Sequence, residues 1–193
     1  MYIPKHFAVT DDNEVFRYLD HNGFGQLISQ VEGRLFVTHL PFLLNDAHTA
    51  LFGHIAKRNP QWQNIEQQEV LVTFQGPHDY ISPQWYLAPG VPTWNYQAVH
   101  VYGRCRVIHD EEQLRRIVES LTAKYEAAFE QPWQPEYSDK LLKVIVGLEV
   151  TITEIQTKYK LNQNRSEQDQ QRVIEMLRIR GSAEVAKAMD EHK

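Results

Sequence analysis

Residues 34–62 read RLFVTHLPFLLNDAHTALFGHIAKRNPQW, and this stretch sets the fold class. It holds two apolar runs of strand composition, each with a polar histidine step, Thr38-His39 and Gly53-His54, separated by the turn residues Leu44-Asn45-Asp46. Pro41 takes a backbone donor out of an otherwise continuous strand, which places it at a sheet edge or a bulge. The second run exits through Lys57 and Arg58 into Asn59-Pro60, and 57–64 is expected to be helical. Two strands with a cationic exit suit an anion cradle.

Upstream, Glu32-Gly33 turns the chain back onto a strand at 25–31, and Thr10-Asp11-Asp12 caps a helix over 13–22 that Gly23 ends. Downstream, 69–74 is a strand stopped by Gly76-Pro77, followed by a short extended piece at 79–81 and a loop marked by Pro89, Gly90 and Pro92. Residues 93–108 alternate well but are long for one strand, so a bulge near Gly103 is expected. A helix opens at Asp110 and ends before Pro132, a short one is capped at Ser138, and 146–159 is the last strand. Helices at 168–180 and 183–189 close the chain. Six or seven strands joined by short turns, with helices set apart, argue for a mainly β antiparallel barrel with flanking helices.

The chain of 193 residues is 42% hydrophobic and 23% charged, as expected of a globular protein with a real core. A net charge of -5 gives no global attraction to nucleic acid, so any DNA contact would be local. One cysteine, Cys105, rules out an internal disulfide framework and reads as an inert buried thiol. The start MYIPKHF lacks a signal-peptide profile and no apolar run approaches eighteen residues, which gives the expectation of a cytoplasmic protein with no membrane partner.

The chemistry narrows by elimination. Nine histidines include no HxH, HExxH or HxxxH pair at ligand spacing on a recognisable element, so the expectation is no metal site. GxSxG, GxGxxG and the Walker loop do not occur. Three features remain. Trp94-Asn95-Tyr96, just after Pro92, offers stacking surface and an amide to a planar ligand, or else Trp94 and Tyr96 are inward-facing core. Lys57-Arg58 holds a phosphate or is a solvated face. Lys158, Lys160 and Arg165, with Gln163 and Asn164, form a second basic patch suited to a phosphate or a nucleic-acid backbone.

Five separated segments, MYIPKHF, GHIAKRNPQW, FQGPHDYISPQWY, VPTWNY and KYKLNQNRSEQDQQRVIEML, together resemble the PaiB-type FMN-binding negative transcriptional regulators over Met1 to about Leu177. The resemblance implies a split β-barrel of the kind found in pyridoxamine-phosphate oxidase-like flavoproteins, a homodimer with FMN at the subunit interface, and a regulatory role. It implies a barrel domain over 1–165 and a helical appendage over 166–193 packed on the barrel or the partner. It places Thr38, His39, Leu40 and Pro41 beside the flavin ring, and His54, Lys57, Arg58 and Asn59 at its phosphate. Trp94, Asn95, Tyr96, Lys160, Gln163 and Arg165 complete the pocket. The family pattern has Arg at position 57, Ala at 58 and Ser at 162, where this chain has Lys57, Arg58 and Asn162. Two alternatives stand beside it: a flavin-dependent oxidoreductase of the same fold, and a binding module for another planar ligand such as haem. The segment 168–180 carries Arg172, Arg178 and Arg180 among acidic residues and does not read as a basic recognition helix.

Overall fold

The computed structural model describes residues 1–135 and 139–192; the expected cap at Ser138 lies outside them. Strands β1 (Phe24–Val31) and β2 (Arg34–Pro41) form the expected hairpin in the register Val31↔Arg34 to Phe24↔Pro41. Glu32 and Gly33, at φ 51° and 74°, supply the two positive-φ positions of a tight turn matched to strand twist. Strands β3 (Leu43–Leu44), β4 (Ala50–Ala56), β5 (Glu69–Ile81), β6 (Thr93–Ile108) and β7 (Ile145–Lys160) complete an antiparallel seven-stranded sheet ordered β2-β1-β5-β6-β7-β4-β3. Pro41 sits on β2, an edge strand, as its missing donor requires.

The helices are α1 (Asp12–His21), α2 (Glu111–Glu126), α3 (Glu167–Arg180) and α4 (Ala183–Glu191). The Asp110 side chain caps α2 by accepting from Gln113 N, and Ser166 caps α3 by accepting from Asp169 N. Gly181, at φ 89°, ends α3 in the left-handed conformation.

Two expectations change. The β5 strand runs through Gly76-Pro77 without stopping. Its pairing with β1 covers only Leu71 to Thr73, so the donor that Pro77 lacks falls where no β1 ladder needs it. In β6 the alternation passes unbroken through Gly103 and shifts only between Cys105 and Ile108. At Gly103 a Cβ would lie 2.4 Å from the Thr151 carbonyl oxygen, so the glycine serves close backbone approach.

The residues cluster into two units. The first comprises 1–15, 75–99 and 156–193, and the second 16–74 and 100–155. In the first, Val173, Ile174 and Leu177 of α3 and Val185, Ala186 and Met189 of α4 are buried with Tyr159 and Leu161. In the second, Ile108 packs with Ile117 and Leu121 of α2, and Leu43 and Phe52 lie against them.

Candidate functional site

In the second unit, Thr38 of β2 meets the 3-10 helix Pro60–Gln67 that follows β4. Asn59 caps that helix: its Oδ1 accepts from Gln61 N at 3.0 Å and its Nδ2 donates to Thr38 Oγ1 at 2.8 Å. Thr38 Oγ1 in turn donates to Gln61 Oε1 at 2.6 Å. Gln61, 1% exposed, sends Nε2 to Ser29 Oγ (2.9 Å), Leu27 O (3.1 Å) and Phe36 O (3.3 Å). A buried amide with every polar atom engaged fixes both β-hairpin strands to the helix entry. Sequence reading missed Gln61 and expected a helix over 57–64; the 3-10 helix starts only at Pro60, because Asn59 is its cap and Lys57 and Arg58 form the turn before it.

Leu40 is buried and Pro41 half-buried, and both lie against Gly53: a Cβ there would be 3.0 Å from Leu40 Cδ1 and 3.0 Å from Pro41 O. His39 is exposed, its ring 6.4 Å from that of Phe24. His54, half-buried, has an Nδ1 that is buried with no hydrogen-bond partner, and burial lowers its pKa. Lys57 and Arg58 form an exposed turn, with Lys57 N donating to Val144 O and Lys57 O accepting from Trp62 Nε1. Their charged ends have no hydrogen bond or ion pair among the described residues. The structure thus brings Thr38 and Asn59 together, and Leu40 and Pro41 with Gly53 beside His54.

The first unit treats its candidates differently. Lys160 Nζ donates to Thr93 Oγ1 and to Trp94 O, and burial first, then Lys158, lowers its pKa. Gln163 accepts from Leu161 N at 2.8 Å and donates to Tyr159 O at 2.7 Å, closing the turn in which Asn162 takes φ 67°. Arg165 lies 4.2 Å above the Tyr86 ring and donates to Pro89 O. Trp94 is 53% exposed and Tyr96 half-buried, whereas Asn95 between them is fully buried, with Nδ2 on Met189 Sδ at 3.3 Å. Trp94 is therefore not core; Asn95 and Gln97 face inward instead.

Cys105 is 4% exposed, and burial, followed by Glu66 and Glu149, pushes its pKa up to about 12. Among the described residues no group of three or more His, Cys, Asp or Glu is placed to hold a metal ion, and no helix is long and apolar enough to cross a membrane.

A flavin nucleotide needs cations for its phosphate and backbone groups for its polar ring edge. Among the described residues Lys57 and Arg58 have uncommitted charges and β2 has an unpaired outer edge, so the second unit fits the group.

The sequence model of the family described as "Putative FMN-binding domain" matches residues 1–154. Protease synthase and sporulation protein PAI 2 of Bacillus subtilis (strain 168) is 43% identical over 185 residues, covering 92% of this chain and 89% of that protein. Among solved structures, the flavocytochrome Anf3 from Azotobacter vinelandii is similar at TM-score 0.64 and 19% identity, covering 87% of this chain and 77% of that one. The FAD and haem binding protein from Mycobacterium smegmatis is similar at TM-score 0.63 and 14% identity, covering 83% and 77%. The likeness is one of fold, the antiparallel split barrel.

Proposed function

This chain belongs to the FMN-binding domain family, and from that premise we propose that it binds FMN as a split-barrel homodimer and acts as a negative transcriptional regulator or flavin-dependent sensor. The observation that carries the reading is the pair Lys57 and Arg58, exposed just after β4, whose charged ends have no partner among the described residues. Both lie within the span matched by the family model, which stops before Lys160 and Arg165. They hold the phosphate by charge-assisted bonds. Asn59 orients this turn through Thr38 and Gln61. The backbone of Thr38 to Pro41 on the sheet edge meets the flavin ring, with His39 and Leu40 on alternate faces of the strand, and His54 offers its unpartnered Nδ1. The flavin lies at the subunit interface, where the partner completes its enclosure; Asn95, Gln163 and Arg165, already bonded internally, act by holding the chain. Bound FMN supplies redox chemistry that a sensor can read.

The regulatory half is supported by the name of the Bacillus relative, a protease synthase and sporulation protein. Net charge -5 limits any DNA contact to a local surface. Flavin-band absorbance that co-purifies with the protein tests the cofactor, and a colourless protein that takes up no added FMN would overturn it. Gel shifts on DNA upstream of its own operon, titrated over salt, test regulation; binding without sequence preference counts against it.

A further inference from the structure

We propose that the groove between the β3–β4 turn and helix α2 binds a small zwitterion with an apolar side chain, of the class of the hydrophobic amino acids and their dipeptides. The groove lies within the second unit and has a volume of about 450 Å³, in the range of small-molecule sites. Its floor is apolar. Ile108 and Ile117 are buried, and Leu43 and Phe52 pack against them but stay half-buried where they line the groove. Gln113, Arg116, Ile117 and Ser120 are spaced three and four apart, so α2 lines the groove with one face. Asn45 and Asp46 line it from the turn.

The polar groups on the rim are left over from folding. The turn is fixed without Asp46: Asn45 Oδ1 accepts from Thr49 N at 2.8 Å and from Ala50 N at 2.9 Å, and its Nδ2 donates to Thr49 Oγ1 at 3.1 Å. His48, at φ 57°, stacks its ring 4.0 Å from that of Phe16. The Asp46 carboxylate has no hydrogen bond or ion pair among the described residues, nor have the Gln113 side-chain amide and the Ser120 hydroxyl a hydrogen bond. Arg116 pairs through Nη1 with Glu112 at 2.9 Å, an exposed pair of the kind that stabilises little and leaves the other guanidinium donors open. A purely apolar ligand would cover Asp46 and Arg116 with neither charge answered, and a ligand with one charge would answer only one of them. A zwitterion answers both, with its ammonium on Asp46, its carboxylate on Arg116 and its side chain on Phe52 and Ile117. The turn, already fixed, has little left to order on binding.

The groove shares no residue with the flavin set, so the proposal does not rest on the flavin reading, whose failure shows separately as FMN retention unaffected by Lys57→Ala with Arg58→Ala. Full-length protein as purified is titrated calorimetrically with leucine, phenylalanine and leucyl-leucine, which distinguish an amino acid from a dipeptide. Three partial ligands accompany them: isoamylamine lacks the carboxylate, isocaproate lacks the ammonium, and glycine lacks the side chain. Saturable binding of at least one of the first three is expected, about tenfold or more tighter than any partial ligand. Asp46→Asn should remove the preference over isocaproate, and Arg116→Gln the preference over isoamylamine. Ser120→Trp, at an exposed position, should fill the groove and abolish binding with FMN content unchanged. No saturable binding of any of the three, or binding indifferent to Ser120→Trp, overturns the site. So do Asp46→Asn and Arg116→Gln variants that weaken every ligand alike. A changed oligomeric state in Ser120→Trp, read by light scattering, also overturns it, since the groove would then be a contact between copies of this chain.

Discussion

The two units use their cations in opposite ways. In the first, Lys158, Lys160 and Arg165 are drawn onto carbonyls and aromatic rings, and their charge helps hold the local chain together. In the second, Lys57 and Arg58 stand in solvent beside a fully bonded amide network that holds the turn without them. A charge spent on the fold costs stability when it is removed; an unspent one should cost only ligand. A basic residue near a family motif is thus not equivalent to a free binding charge, and the internal bonds of each decide between the two roles.

The largest effect tests the scaffold beneath the free pair. Gln61→Ala leaves Leu27 O, Phe36 O and Ser29 Oγ short of a donor in the interior, and should cost about 2–4 kcal/mol of unfolding free energy by urea titration. A loss below about 1 kcal/mol would mean that the turn is held by something else. Next comes Arg165→Ala, expected to cost about 1–2 kcal/mol through the lost Tyr86 stack and Pro89 bond. If stability is unchanged, the charges of the first unit are not spent as described.

A smaller effect is set by pH. Burial lowers the His54 pKa in the fold, so the unfolded chain takes up a proton first. The contribution is complete above the unfolded value near 6.5, is lost as pH falls below it, and levels off below the folded pKa. Urea midpoints measured from pH 7.5 to pH 5 should fall, and less steeply in His54→Gln. An identical slope in the variant would assign the acid sensitivity to other groups, His100 first, since burial lowers its pKa as well. Smallest of all is the stability change in Lys57→Ala with Arg58→Ala, expected within about 0.5 kcal/mol.

Much of this was legible in the sequence. The hairpin followed from Glu32-Gly33, the edge position of β2 from Pro41, and the start of α2 from Asp110. Local rules misread β5, because whether Pro77 breaks a strand depends on which edge is paired, and that is a tertiary fact. They left open which way the start of β6 faces, where Trp94 points outward and Asn95 and Gln97 point in. Hydrophobic alternation assumes that the buried face is the apolar one. Gln61 was invisible for the same reason, since a buried amide has no periodic signature until its partners are known. Lys160 and Arg165 looked as free as Lys57 and Arg58, because sequence gives charge but not its partners.

The most direct test compares the flavin-to-protein absorbance ratio of the wild-type protein, Lys57→Ala with Arg58→Ala, and Arg165→Ala, each loaded with FMN and dialysed. The two lost charge-assisted bonds, at about 1.5–3 kcal/mol each, should weaken retention roughly a hundredfold or more in the double variant. Arg165→Ala should keep its flavin at a temperature where it stays folded. Full retention in the double variant, or flavin lost from folded Arg165→Ala, would contradict the division of charge between the two units.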